Sequence, residues 1–275
     1  RLVAKQFTHV ADLHNVLRSE YLRFRFNMGR FRVEPINKHR KQRRHLVARK
    51  RKVKEQLPTS FDNYFEVFSR LGFPIEQPSF VSVFPPEGVN LNMLPAIFGP
   101  KRSWEQWIGI APFAAHKGKV YPPEKMEQVI RLLTAQYPKA RIFLFGRGHE
   151  EDAFFPQWME QMPQCVFMGR LLEAMHQELI LMSHLDVMLS MDSANMHIAS
   201  LTGIPVVSVW GATHPYAGFL GWKQRPENAI GLDMDCCPCS IYGQKPCKRG
   251  DYQCMYGIAP DMIVERINRV LTKTD

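Results

Sequence analysis

The chain has 275 residues, of which 45% are hydrophobic, and it carries a formal net charge of +10. This composition is normal for a folded globular protein, and the length favours two domains of moderate size. No apolar run approaches the roughly 20 residues that a membrane-spanning helix needs, and no secretory signal is visible. We therefore expect a cytoplasmic protein, associated with the inner membrane at most as a peripheral protein.

The positive charge is concentrated in the first part of the chain. Residues 1–60 contain 17 Lys and Arg against four acids, and the density is greatest from Arg30 to Lys54. Such asymmetry predicts a polyanionic partner. The candidates are an anionic membrane surface, a phosphorylated glycan and nucleic acid. Few aromatic residues are interleaved to stack bases, and no nucleic-acid motif occurs elsewhere, so we expect no nucleic-acid partner.

The first 71 residues predict two strands and three helices. In chain order these are the strand Phe7–Leu13, the helix Val16–Asn27, the strand Arg30–Pro35, a strongly basic helix His39–Gln56 and the amphipathic helix Phe61–Leu71. Prolines and glycines then recur from Gly72 to about Lys101, around one brief predicted strand, Phe80–Phe84. We therefore predict a first domain of residues 1–100 and a second of residues 101–275.

The second domain shows strands and helices in regular alternation. The predicted strands are Ile108–Ala111, Arg141–Phe145, Cys165–Met168, Asp186–Ser190 and Val206–Trp210, and the predicted helices are Pro123–Tyr137, Ala153–Met162, Leu172–Ser183 and Asp261–Leu271. Alternation of this kind is typical of a parallel, doubly wound α/β sheet.

The segment Val187–Pro215 is the most informative part of the sequence. It predicts a strand, a turn at Asp192-Ser193, a helix that ends at Gly203, a second strand and a polar turn with Thr213. Both turns then lie at the carboxyl edge of the sheet, where open α/β folds bind ligands. A helix N-terminus suits a phosphate, whereas a carboxylate suits hydroxyl groups, so the pattern favours a nucleotide-sugar ligand.

This segment resembles the donor site of the glycosyltransferases that add heptose to the lipopolysaccharide core (glycosyltransferase family 9). The residues that carry the resemblance are DSANMHIA, from Asp192, followed by GIPVVSVWGATHP. The resemblance implies a GT-B fold, with two Rossmann-like domains and parallel sheets. It also implies that the N-terminal, acceptor-side domain is incomplete, because its opening βαβ portion and the aspartate that serves as catalytic base have no match here.

The resemblance implies a set of donor-binding residues. Lys119 would contact the donor diphosphate, although Lys117 lies close enough to compete, and Asp192 would contact the transferred sugar. The amides of Ser193 and Ala194 would face the diphosphate, and His197 would stabilise the leaving group. Two further assignments stay open: Glu150 binds ribose or only favours its helix dipole, and Thr213 binds phosphate or ribose or only caps its turn.

Five of the six cysteines lie within residues 236–254, and three basic residues lie among them. Cys236, Cys239, Cys247 and Cys254 would supply four thiolates to a structural zinc ion, but their spacing is irregular for a zinc module. We favour reduced, packed cysteines, so no cofactor is required. The basic residues would face a phosphorylated acceptor; they are Lys245, Lys248 and Arg249.

The resulting expectation is an inverting, metal-independent glycosyltransferase that moves a sugar, heptose from ADP-heptose, to a lipopolysaccharide core acceptor. Because no residue matches the catalytic base, an alternative is an inactive protein that binds a nucleotide or another polyanion. A third reading combines the basic segment and the cysteines into a zinc-stabilised nucleic-acid binder.

Overall fold

The chain divides into two compact units. The computed structural model describes Lys5 and residues 7–29, 31–76, 79–85 and 88–272. Unit 1 comprises Arg1–Phe80 and Tyr216–Phe219, and unit 2 comprises Val81–Pro215 and Leu220–Asp275. The division thus falls after Phe80 rather than near residue 100, and a short segment far along the chain returns to unit 1.

Unit 1 contains two parallel strands and three helices. These are β1 (His9–Asp12), α1 (Leu17–Met28), β2 (Arg32–Pro35), α2 (Arg40–Leu46) and α3 (Ser60–Leu71). The third helix has strong end signals, because Thr59 and Asp62 form a reciprocal capping box and Gly72 ends the helix with φ of +93°. Both predicted strands are confirmed with tighter bounds, and Arg30 lies outside the described residues.

The basic helix predicted for His39–Gln56 is wrong beyond its first two turns. The helix α2 ends at Leu46, its only buried residue. Lys and Arg dominate the rest of that segment and Glu55 is its sole acid. Like charges three and four positions apart destabilise a helix, and no apolar stripe compensates for them.

Unit 2 is built on a six-stranded parallel sheet. Its strands are β3 (Trp107–Ala111), β4 (Arg141–Leu144), β5 (Cys165–Phe167), β6 (Val187–Met191), β7 (Val206–Val209) and β8 (Ala229–Ile230), in the spatial order β5-β4-β3-β6-β7-β8. The strand order reverses direction between β3 and β6. Such a switch point opens a crevice outside the carboxyl ends of the two strands.

The helices of unit 2 cover both faces of this sheet. They are α4 (Pro123–Gln136), α5 (His149–Gln161), α6 (Met175–Met182), α7 (Ala194–Ser200), α8 (Gln253–Tyr256) and α9 (Pro260–Thr272). All five residues of β3 and of β6 are buried, as expected for a sheet covered on both sides. The predicted alternation is confirmed, although α5 begins four residues earlier and α6 three residues later than the sequence indicated.

The segment Phe80–Phe84 is not a strand, contrary to the prediction. Val83 donates one backbone hydrogen bond to Leu201, at 2.8 Å, and no strand ladder forms among the described residues. Short apolar runs need a partner strand to become a strand, and that information is not local. In the described part of the chain, no helix has the length and apolar character to cross a membrane.

Asp12, at the end of β1, has a structural role. It accepts hydrogen bonds from the amides of His14 and Asn15 at 3.0 and 2.8 Å and pairs with Arg23 at 3.0 Å. Burial alone would raise the pKa of Asp12, but these hydrogen bonds, one from Ser19 and the charge of Arg23 hold it below the ordinary value of 3.8.

We expect Asp12→Asn to lower the free energy of unfolding by about 1–3 kcal/mol, since it leaves Arg23 without its carboxylate. A depressed pKa contributes stability that is present above pH 3.8 and is lost as the pH falls through the folded-state value. The difference in the free energy of unfolding between the native protein and the variant should therefore become smaller in acid. Urea unfolding at several pH values measures this, with the exposed Glu20→Gln as control. A difference that is independent of pH would contradict the assignment.

Candidate functional site

Three loops leave the carboxyl ends of neighbouring strands in unit 2. The loop after β3 contains a 3₁₀ turn, Lys117–Lys119, that brings Lys119 toward the sheet. Asp192 directly follows β6, and Thr213 lies in the loop after β7. We call Lys119, Asp192 and Thr213 the carboxyl-edge cluster. They lie at the carboxyl edge of the sheet, at or beside the switch point of the strand order.

The carboxyl-edge cluster contains a buried ion pair. Lys119 Nζ lies 3.1 Å from Asp192 Oδ2, and the two side chains are 16% and 5% exposed. The geometry is not that of a hydrogen bond, so Asp192 Oδ2 lacks a hydrogen-bond partner. The pair is therefore held together by charge, and the carboxylate oxygen keeps its capacity to accept.

Asp192 Oδ2 and Thr213 Oγ1 are the two buried side-chain atoms in the described residues that have no hydrogen-bond partner. Leaving a buried polar atom unsatisfied costs about 1–3 kcal/mol, so most are paired in native structures. Both atoms belong to residues that the sequence had singled out. A cation, the carboxylate oxygen that it pairs with and a hydroxyl without a hydrogen-bond partner together suit a ligand that carries both phosphate and hydroxyl groups.

The first turn of α7 lies beside Asp192. Ser193 occupies the N-cap position in extended conformation, but its side chain makes no capping hydrogen bond and lies 3.2 Å from Ser190 Oγ instead. Ser193 is therefore the N-cap residue by position, but its hydroxyl does not cap the helix. The first amides of the helix, from Ala194, are not satisfied by that side chain.

His197, in the next turn of α7, is electrostatically coupled to this cluster. Burial lowers the pKa of His197 below its ordinary value of 6.5, the Asp192 carboxylate opposes this shift and the Lys119 ammonium adds to it. The imidazole is therefore neutral at pH 7. A neutral imidazole stabilises a departing phosphate as a hydrogen-bond donor rather than as a cation.

This pKa predicts a pH-dependent stability. The neutral form of His197 is favoured in the folded state, so its contribution is complete above pH 6.5 and falls as the unfolded chain takes up a proton below it. We expect the Tm advantage of the native protein over His197→Gln to shrink between about pH 7.5 and about pH 5.5. Calorimetric scans of both proteins measure it, and a constant difference would count against the assignment.

A segment rich in cysteine, residues 236–254, packs against the loops of the cluster. The amides of Cys239 and Ser240 donate to the carbonyl of Ala212 at 2.9 and 3.0 Å, and Ala212 donates to Gly118 at 2.9 Å. Gly243 has φ of +82°, and a Cβ atom there would lie 2.4 Å from Lys119 Cδ. The cysteine segment thus fixes the aliphatic part of Lys119.

All six cysteines are free thiols. No group of three or more His, Cys, Asp and Glu side chains in the described residues could hold a metal ion, so the zinc alternative at Cys236, Cys239, Cys247 and Cys254 has no support. A hydrogen bond from Cys237 lowers the pKa of Cys254, whereas burial raises the pKa of Cys236. The zinc-stabilised nucleic-acid binder loses its structural basis with the metal.

The remaining predicted residues lie on the surface. Glu150 is exposed in the first turn of α5. The carboxylate of the neighbouring Glu151 lies against Gly146 and Gly148, which both have positive φ. Two glycines leave room for that side chain to fold back.

The basic residues of the cysteine segment are also exposed. Lys245 and Lys248 extend from its surface, and Arg249 pairs with Asp251 at 2.8 Å. Lys117, the competitor of Lys119, is exposed and lies 5.0 Å from the ring centre of Tyr252. The ion pair with Asp192 therefore distinguishes Lys119 from Lys117.

Comparison with known proteins finds a curated heptosyltransferase that is similar to part of this chain. Lipooligosaccharide heptosyltransferase 2 of Campylobacter jejuni is 29% identical over 87 residues, which are 32% of this chain and 26% of that protein. The match thus spans about a quarter of the length of this curated relative.

Two solved structures show the same fold. A family 9 glycosyl transferase from Veillonella parvula has a TM-score of 0.69 at 17% identity, over 100% of this chain and 77% of its own. Heptosyltransferase WaaC of E. coli, solved with ADP, has a TM-score of 0.60 at 14% identity, over 97% of this chain and 74% of its own. The predicted α/β fold of the GT-B type is confirmed.

The family model described as glycosyltransferase family 9 (heptosyltransferase) matches residues 1–248. Because this match covers most of the chain, the protein belongs to glycosyltransferase family 9, the heptosyltransferase family.

Proposed function

We propose that the protein transfers heptose from ADP-heptose to a lipopolysaccharide core acceptor, with inversion and without a metal ion. The assignment of the donor site is supported by two buried atoms without hydrogen-bond partners, Asp192 Oδ2 and Thr213 Oγ1, beside the Lys119 ammonium. The ADP bound by the structural relative WaaC favours an adenine nucleotide. A single lysine and the helix amides would balance diphosphate charge that other enzymes balance with a metal ion.

Each residue of the carboxyl-edge cluster has a role in this proposal. Lys119 would turn from Asp192 toward the diphosphate, as a point charge on its flexible stem. Asp192 would accept hydrogen bonds from the hydroxyls of the sugar, and Thr213 would donate to a phosphate or ribose oxygen. The amides of Ser193 and Ala194, and the neutral His197, would stabilise the negative charge that develops on the leaving diphosphate.

The transfer step needs a base for the acceptor hydroxyl. The hydroxyl would attack the anomeric carbon from the face opposite the leaving diphosphate while a carboxylate removes its proton. Asp12 is unsuited to this task, because its carboxylate is already engaged by two amides and Arg23. This observation favours the second candidate, a protein that binds the nucleotide sugar without transferring it.

The acceptor side rests on charge. Lys245 and Lys248 are exposed on the cysteine-rich segment, which packs against Lys119 through Gly243. They would therefore contact a phosphorylated core oligosaccharide near the donor site. Arg249 would have to exchange its carboxylate partner, Asp251, for an acceptor phosphate. The basic residues between Arg30 and Lys54 would face an anionic membrane surface.

Calorimetric titration with ADP, UDP, GDP and ADP-heptose tests the donor site. We expect selective binding of ADP, and we expect Asp192→Asn to weaken ADP-heptose about tenfold more than ADP, because Asp192 contacts the sugar. Thr213→Val should weaken both. Thr202→Val is the matched control, since the Thr202 hydroxyl already bonds to Ala199 at 2.8 Å. A folded sample that binds no nucleotide would overturn the donor site.

Release of ADP from ADP-heptose separates the two candidates. Release that requires a lipopolysaccharide core acceptor would establish the transferase. Tight binding of ADP-heptose with no release, in the presence of that acceptor, would establish the binding protein instead.

A further inference from the structure

A cavity lies at the edge of the unit 2 sheet opposite the carboxyl-edge cluster. Its volume is about 240 Å³. It is bounded by Gly203–Pro205 before β7, by residues 223–225, by Asn228 before β8, and by the last turns of α9. We call it the amino-edge cavity, since strands begin there, whereas the carboxyl-edge cluster lies where strands end.

The amino-edge cavity is lined by four cationic side chains and by no acid of the described chain; the cations are Lys223, Arg225, Arg266 and Arg269. Glu265 pairs with Arg269 along α9, and Glu227 lines the adjoining cleft. Lys223, Arg225 and Arg269 are exposed, whereas Arg266 is half-buried, and none of the ion pairs of the described residues includes its guanidinium. Exposed cations around a half-buried one attract an anion into the cavity.

A second observation concerns Asn228, which is 6% exposed and lines the cavity. Its side-chain amide has no hydrogen-bond partner among the described residues. The neighbouring Gln224 differs, because its side-chain oxygen accepts from the Val206 amide at 2.7 Å and its side-chain nitrogen donates to the Ile204 carbonyl at 3.0 Å. Because the Asn228 side chain lines the cavity without a protein partner for its amide, its N–H groups are open to a ligand that enters the cavity.

We propose that the amino-edge cavity is a binding site for a phosphate monoester group, separate from the nucleotide-sugar site. Arg266 would bind two phosphate oxygens with its planar guanidinium, Asn228 would donate its amide N–H, and Lys223 and Arg269 would add charge at the rim. The cavity is too small for a whole nucleotide sugar and suits one phosphorylated group. That group belongs to a soluble phosphorylated molecule or to the headgroup of an anionic lipid.

Titration of the ¹⁵N-labelled protein with inorganic phosphate tests the site. We expect saturable shifts of the amide signals of Gly203, Gln224 and Asn228. Arg266→Gln should raise the dissociation constant about tenfold, and Asn228→Asp, which turns a donor into a repelling carboxylate, should do the same without changing side-chain size. Arg131→Gln on α4 is the matched control, because it removes the same charge from a surface ion pair.

The test separates this site from the donor site. The variant Lys119→Met should bind phosphate at the amino-edge cavity normally, and Arg266→Gln should bind ADP normally. Shifts that do not saturate, or that are unchanged in both Arg266→Gln and Asn228→Asp, would overturn the proposal.

Flotation with vesicles distinguishes the two sources of the phosphate group. Vesicles of phosphatidylcholine with phosphatidic acid offer a phosphate monoester headgroup, and pure phosphatidylcholine vesicles do not. Loss of binding to the acidic vesicles in Arg266→Gln would assign the cavity to a lipid headgroup. Saturable phosphate binding with vesicle binding unaffected by the variant would assign it to a soluble molecule.

Discussion

Replacing Lys119 with methionine is expected to lower the free energy of unfolding by about 3–5 kcal/mol, because it leaves the buried Asp192 carboxylate without its cation. Methionine keeps most of the length of the side chain, so the loss reflects charge rather than packing. In the same variant, the affinity for ADP should be too weak to measure. Urea unfolding and calorimetric titration measure the two effects.

Two comparisons make this expectation specific. Lys117→Met removes an exposed lysine two residues away and should cost less than about 1 kcal/mol, the value of an exposed cation–π contact. Adding Asp192→Asn to Lys119→Met should restore much of the lost stability, because no buried charge then remains. If the double variant is as unstable as the sum of the single variants, the ion pair does not carry the effect.

Gly243→Ala is expected to weaken the binding of ADP by tenfold or more. The new Cβ atom would lie 2.4 Å from Cδ and 2.6 Å from Cγ of Lys119, so the lysine must leave its position. The left-handed backbone at φ of +82° adds a further cost of about 1–2 kcal/mol for any residue with a Cβ atom. Calorimetric titration with ADP measures the affinity and urea unfolding the stability.

Gly250→Ala is the matched control for this substitution. Gly250 lies in the same segment with φ of +81°, and no atom lies within 4 Å of its Cβ position. It therefore has the backbone strain without the contact to Lys119. We expect Gly250→Ala to lower stability by a similar strain energy and to leave ADP affinity unchanged. Equal losses of affinity in both variants would show that Gly243 acts through the segment as a whole.

The order of β3 to β7 and of the helices between them could be predicted because each of these strands has a local signal. Trp107–Ala111 and Val187–Met191 are short apolar runs bounded by loops, and the helices between them repeat apolar residues at helical spacing. The strand β8 was missed, since two residues, Ala229 and Ile230, form a strand only by pairing with β7.

The candidate site was only partly predictable. The turns after two predicted strands indicated Asp192 and Thr213, and the family resemblance indicated Lys119. Neither predicted the ion pair or the two atoms without hydrogen-bond partners, because these depend on contacts between residues far apart in the chain. The contact of Gly243 with Lys119 has the same origin, because 124 positions separate them in the chain.

The return of Tyr216–Phe219 to unit 1 has a consequence during synthesis of the protein. The amides of Leu57 and Ser60 donate to the carbonyls of Tyr216 and Gly218, at 2.9 and 3.0 Å. A ribosome that adds about 5–20 residues per second needs on the order of ten seconds to pass from Phe80 to Phe219. Throughout that interval the emerging N-terminal unit lacks these backbone partners, so it cannot reach its final form until translation has passed Phe219, when β8, α8 and α9 of the other unit are still to come.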